Sequence, residues 1–180
     1  EGEIVAGRIR LMPDRNSERK YLIIDMSGGE GIMPLSEQVP NELRGSTDGT
    51  FKVFLVEVRQ TERGPQVVVS RSHPGLVFKL FQMEVPEIVS GQVSIMAIAR
   101  EPGQRCKIAV ASNDQRIDPI GACVGGRGDR VKRVVTELRG EKIDIVPWNP
   151  DPAKFVTQAL APAEVSRIVI DEDNQTMEII

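Results

Sequence analysis

The residues with the clearest chemical meaning lie between 118 and 135, DPIGACVGGRGDRVKRVV. Gly125-Gly126-Arg127-Gly128 strips side chains from the backbone just ahead of an amphipathic, arginine-rich run. Glycine admits positive φ and lets a ligand's own backbone come close. A helix starting directly afterwards turns unpaired N–H groups and the positive end of its dipole toward the same space. That combination suits a phosphate, with Arg127 as its cation and Asp129 placed to N-cap the helix. From the loop onward, Arg127, Arg130, Lys132, Arg133, Arg139 and Lys142 outnumber Asp129, Glu137 and Glu141 two to one. The whole chain has a formal net charge of −3, so this is a local patch, not bulk basicity, and local charge decides such contacts. A bare GxxG is more simply a tight helix–helix connection. Its place after two strands, between two helices and beside these cations favours the phosphate.

Other chemistries do not assemble. No GK[ST] follows the glycines, and the GxGxxG dinucleotide spacing is not met. Cys106 and Cys123 lie far apart without a CxxC and read as buried free thiols. His73, the single histidine, sits in Ser72-His73-Pro74-Gly75, a turn into a helix. Asp171-Glu172-Asp173 reads as the solvated turn of a hairpin, and Arg127-Gly128-Asp129 and Asn174-Gln175-Thr176 match adhesion and glycosylation spellings only. No nucleophile–base set emerges. The expectation is therefore no catalytic residue, no metal and no cofactor. Glu-Gly-Glu opens the chain with no basic-then-apolar segment after it, and no apolar run is long enough to span a membrane, so a cytoplasmic protein without membrane contact is expected.

The elements that must carry this loop can be read from periodicity. Through residue 71, Ile4 to Met12, Lys20 to Met26, Gly31 to Leu35, Phe51 to Arg59 and Pro65 to Ser70 are rich in Val, Ile and Phe. Turn signals at Pro13-Asp14, Gly28-Gly29, Pro40-Asn41, Gly45 to Gly49 and Arg63-Gly64 separate them, which predicts a five-stranded antiparallel barrel. From 72 to 150 the order predicted is helix (Gly75 to Glu84), strand (Gln92 to Arg100), strand (Arg105 to Ser112), short helix (Pro119 to Val124), glycine loop, helix and strand (Lys142 to Val146). The long helix carries Val131, Val134, Val135 and Leu138 on one face, turned to the core, and Gly140 as its C-cap. In the second strand Cys106, Ile108 and Val110 share one face, Arg105 and Lys107 the other. The run from His73-Pro74 to Ile88 is echoed from Asp151-Pro152 to Val165, and two strand-like runs, Val165 to Ile170 and Gln175 to Ile180, follow. Residues 151–180 thus read as the truncated start of a second such unit.

Several runs resemble a known family. Gly121-Ala122-Cys123-Val124-Gly125-Gly126-Arg127-Gly128, Arg130-Val131, and Glu137-Leu138-Arg139-Gly140-Glu141-Lys142-Ile143-Asp144-Ile145 closely resemble the first KH domain of bacterial NusA-type transcription factors. Ser70 to Val77 resembles the junction between that family's S1-type domain and its KH pair, and Ala97 to Gly103 and Ser112-Asn113-Asp114 match further stretches. The resemblance implies an all-β OB-type (S1) barrel over 1–71, an α+β type II KH domain over 72–150, and part of a second KH unit over 151–180. It implies binding of single-stranded nascent RNA, with effects on RNA polymerase pausing, termination and antitermination, alongside other antitermination factors. KH loops of this kind clamp about four nucleotides by their backbone. By position, Gly125, Gly126, Arg127 and Gly128 would hold the RNA backbone, Arg127 would meet phosphate, and Arg130, Arg105 and Lys107 would contribute.

Two departures qualify the resemblance. S1-type barrels commonly stack bases on aromatics, whereas this chain is 4% aromatic and Phe51 and Phe54 read as core, with Ile32 where an aromatic often sits. The barrel is expected to be a weak RNA platform. The segment by which the family docks on RNA polymerase precedes the S1-type domain and is not in this sequence. The enzyme alternative is a fragment of a polynucleotide phosphorylase-type exoribonuclease, in which the KH precedes the S1-type domain; a protein-docking platform is the other. The order here, barrel first, favours the non-enzymatic RNA-binding reading.

Overall fold

The computed structural model describes residues 1–11, 21–40, 42, 49–62 and 64–180. The turn expected at Pro13-Asp14, most of that at Gly45 to Gly49, and the strand ends at Met12 and Lys20 lie outside the described residues, as do Asn41 and Arg63. Five strands, β1 (Ile4–Leu11), β2 (Tyr21–Met26), β3 (Gly29–Pro34), β4 (Phe51–Thr61) and β5 (Gly64–Ser70), close into a barrel in the order β1-β2-β3-β5-β4. Every pairing is antiparallel except β3 with β5, so the barrel is mixed and not wholly antiparallel as expected. Ile9, Leu22, Ile24, Met33, Phe51, Val53 and Val69 fill it.

The second part comprises α1 (Pro74–Glu84), α2 (Pro86–Val89), β6 (Val93–Glu101), β7 (Arg105–Ser112), α3 (Pro119–Val124), α4 (Asp129–Glu137) and β8 (Lys142–Pro147). Its sheet runs β6-β7-β8, with β6 antiparallel and β8 parallel to β7. Cys106, Ile108 and Val110 point from β7 into a core shared with α1, α3 and α4. Burial pushes the Cys106 thiol up to about 12 and the Cys123 thiol to about 11, aided by the nearby Glu141 and Glu87 carboxylates; both thiols are free. The single turn α2 was not expected, because Pro86 interrupts the run that would have marked it. The last elements are α5 (Pro152–Leu160), capped by the Asp151 carboxylate, and an antiparallel hairpin of β9 (Ile168–Asp171) and β10 (Thr176–Ile179).

Period-two alternation joins the two cores. On β4, Phe51 and Val53 face into the barrel while Phe54, one residue on, leaves it and joins the core around α1. Phe54 stacks on His73 with ring centroids 4.6 Å apart, and His73 caps α1 by accepting from the Gly75 N–H through Nδ1 at 2.9 Å. A Cβ on Gly75 would sit 2.5 Å from the Phe54 ring, so only glycine lets the helix start this close to the barrel.

A buried guanidinium locks the junction. Arg71, fully buried, donates to Glu42, to the Lys52 carbonyl at 2.7 Å, and to the Glu137 carboxylate and carbonyl at 3.0 and 2.7 Å. It also lies 5.7 Å above the Phe51 ring. Glu137, at the end of α4, accepts in turn from the Lys52 N–H and ammonium. Burial alone would raise the Glu137 carboxyl, but the Lys52 bonds and the Arg71 charge outweigh it and hold the group below its ordinary value. Its contribution to stability is therefore present at neutral pH and is lost as pH falls through that depressed value. Arg71→Met strands the buried Glu42 carboxylate and takes one partner from Glu137, and is expected to cost about 3–5 kcal/mol in urea denaturation; a loss under about 1 kcal/mol would show that the network is dispensable.

Candidate nucleic-acid interface

The loop is built by two helix ends meeting at left-handed backbone. Asp118 caps α3, its carboxylate accepting from the Ile120 N–H at 3.1 Å, and Pro119 sets the first turn. The helix stops because Gly125 adopts φ 76°, ψ 173°. Arg127 (φ 56°) and Gly128 (φ 76°) follow in left-handed conformation, and α4 begins. Asp129 was expected to N-cap α4; instead Gly128 occupies that position and no side chain caps the helix. Asp129 is the first helical residue, and its carboxylate pairs with Arg133 at 3.4 Å. At the far end, Arg139 (φ 55°) takes the left-handed place expected of Gly140, whose amide bonds the Val135 carbonyl at 2.9 Å in a Schellman closure.

The amides of Gly125, Gly128 and Asp129 donate within the turn, to Gly121, Gly125 and Gly126 carbonyls. Those of Gly126 and Arg127 find no partner among the described residues, and both residues are exposed. The glycines differ in what requires them. A Cβ on Gly125 would meet Asp129 Oδ1 at 2.4 Å and Arg130 Cγ at 2.6 Å, so the fold demands glycine there. A Cβ on Gly126 would meet nothing within 4 Å, and its φ is ordinary. Nothing in the described protein needs glycine at 126.

Beside the loop lies a groove of about 830 Å³. One side is apolar: Ile120 and Val124 from α3, Val131 from α4, Ile143 and Ile145 from β8. Val131 packs against the core that holds Val134, as the helical stripe predicts, and, being only half-buried, also lines this groove. A second cleft, about 410 Å³ at the barrel junction, is a poorer anion site because Lys52 and Arg133 there are already paired with Glu137 and Glu84.

The expected cations separate into two groups. Arg127 is exposed and makes no ion pair among the described residues. Lys132 Nζ donates to the Arg127 carbonyl at 3.0 Å, bringing a second positive charge against the turn. Arg130 is partly committed: its Nη1 donates to Glu87 at 2.9 Å and to the Ala122 carbonyl at 2.6 Å, bracing α3 against α2. Arg105 pairs with Asp144 at 3.2 Å and Lys107 donates to the Ala159 carbonyl; both line the groove. Among the described residues no group of three or more His, Cys, Asp and Glu could hold a metal ion, and no helix is long and apolar enough to cross a membrane.

Residues 71–148, which hold this loop and sheet, match the family model of the NusA-like first KH domain. Along its whole length the chain is 42% identical to the transcription termination/antitermination protein NusA of Halalkalibacterium halodurans, covering 46% of that protein. It is 41% identical to the Thermus thermophilus protein of that name over 96% of this chain and 43% of the relative, and 43% identical to the Mycobacterium bovis one over 100% and 53%. The chain is a NusA homologue. It spans about half the length of the relatives it matches.

Sequence reasoning located the KH loop but missed the groove's other wall. Gln158, Leu160, Ala161, Pro162 and Ala163 form it, from the end of α5 and the residues after it. No periodicity flags that role, since the contact joins residues far apart in the chain. The two glycines make a stability test. Gly126→Ala is expected to change unfolding free energy by less than about 1 kcal/mol, and Gly125→Ala to destabilise by more than that. Equal effects would show that both are required by the fold.

Proposed function

We propose that this chain is the RNA-binding part of a non-enzymatic transcription factor, acting on single-stranded nascent RNA to modulate pausing, termination and antitermination by RNA polymerase in the cytoplasm. The division proposed is an S1-type OB barrel over 1–71, a type II KH domain over 72–150 and the beginning of a second KH over 151–180. The closed five-stranded barrel supports the first assignment, the helix–strand–strand–helix–helix–strand order supports the second, and the helix-then-hairpin order of α5, β9 and β10 supports the third. RNA polymerase and further antitermination factors are the proposed protein partners of the longer molecule.

The observation that carries the reading is Gly126: exposed backbone with an unpaired amide, no fold requirement for glycine, and Arg127 and Lys132 beside it. Gly125 to Gly128 would receive the sugar–phosphate chain, Arg127 would meet a phosphate, and the apolar side of the groove would receive bases. Arg130, Arg105 and Lys107 would contribute beside them, their bonds to Glu87, Asp144 and Ala159 holding the walls and the remaining guanidinium N–H groups of Arg130 and Arg105 meeting RNA. The barrel is assigned a supporting part, because Phe51 and Phe54 are buried and only Tyr21 among its aromatics is exposed.

Replacing Gly126 and Arg127 together by Asp is expected to weaken binding of short single-stranded RNA at least tenfold, with the thermal melt nearly unchanged. Undiminished binding would remove the loop from the mechanism. Binding should also fall with salt at a log–log slope near −0.7 per neutralised phosphate, and Arg127→Ala should reduce the slope's magnitude by about 0.7. A salt-independent affinity would favour protein docking, and steady shortening of RNA in the presence of phosphate would favour the exoribonuclease.

A further inference from the structure

The groove's polar groups are unequally committed. Arg105 pairs with Asp144 at 3.2 Å through Nε, and Lys107 is taken by the Ala159 carbonyl. Gln158, exposed on the opposite wall, makes no side-chain hydrogen bond among the described residues. It is thus the one described groove side chain offering an uncommitted donor and acceptor together. The Lys107 bond falls one residue away, at Ala159, and ties this wall to β7. The wall lies outside the 71–148 family match, so the groove beside the KH loop is completed by the following unit.

We propose that Gln158 selects a base in this groove, by pairing its amide with the adjacent donor and acceptor of an adenine. The proposal rests on the RNA-binding reading above. The loop fixes the backbone and carries no sequence information, since every nucleotide has the same phosphate. The apolar side, Ile120, Val124, Val131, Ile143 and Ile145, offers contact to any base face. Discrimination requires a group that the wrong edge leaves unpaired: read on the N7 edge, a primary amide matches adenine's N6 donor and N7 acceptor, whereas guanine presents two acceptors there and a pyrimidine has no N7. At about 830 Å³ the groove has room for a base between these walls and lies within the range of small-ligand sites.

The substitution Gln158→Glu provides a test that a merely structural wall would not answer. A carboxylate accepts only, so it favours an edge presenting two donors, which guanine supplies at N1 and N2. Binding of the full chain is measured to short single-stranded RNAs varied one position at a time. The parent is expected to prefer adenine at one position by about tenfold. Gln158→Ala should flatten that preference, and Gln158→Glu should move it to guanine. The same base preference in all three proteins would overturn the proposal. Gly126→Asp is run alongside. If it binds as the parent does, the loop reading fails; if it loses binding while the Gln158 variants keep the parent's preference, only the Gln158 assignment fails.

Discussion

Positive φ at three of the four residues 125–128 is the constraint on which the site depends. It lets the chain leave α3 and enter α4 within a few residues, so that one helix's last turn and the next helix's first turn border the same gap. Two of these positions are glycine, where left-handed backbone carries no Cβ penalty. The third is Arg127, a conformation uncommon for a residue with a side chain, held in part by the Lys132 ammonium on its carbonyl. The exposed side chain of Arg127 and the two unpaired amides thereby share one small surface. Arg130, turned away to Glu87 and Ala122, keeps the two helices from separating beneath it.

Buried charge extends that rigidity to the rest of the molecule. Arg71 joins β4 of the barrel to the end of α4. Arg100 and Glu141, each almost wholly buried, form a bidentate pair at 2.8 and 2.9 Å, and Glu141 also receives the Gly103 N–H at 2.8 Å. That second pair fixes the β6–β7 turn against the entry to β8. Buried ion pairs add little net stability over apolar packing, yet they penalise any arrangement that separates the partners. Here the effect is a single relation between the barrel and α4. Of the barrel's aromatics, Phe51 serves its own core and Phe54 the stack on His73, and Tyr21 is exposed.

Much of this was legible in the sequence, for local reasons. Alternation of Cys106, Ile108 and Val110 against Arg105 and Lys107 gave β7 with its buried face. The glycine turn between two helices, with cations around it, was legible too, because glycine and cation placement are read from neighbouring residues. What escaped depends on distant residues. Arg130 looked like a surface cation until Glu87, 43 positions earlier, came to meet it. Val131 fits the core stripe of α4, but the groove reaches that face. Gln158 lines the groove from α5, well beyond β7 in the chain. At the helix ends, Gly128 in place of Asp129 and Arg139 in place of Gly140 reflect backbone geometry that favours the tight closure over the side-chain cap.

The most direct test is an amide-resolved NMR titration of the chain with a short single-stranded RNA. If the unpaired amides of Gly126 and Arg127 receive the sugar–phosphate backbone, their resonances shift early and far, together with those of Val124, Val131 and Ile145 along the groove. A titration in which RNA binds but the Gly126 and Arg127 amides stay in place, while shifts gather on the barrel, would contradict the account.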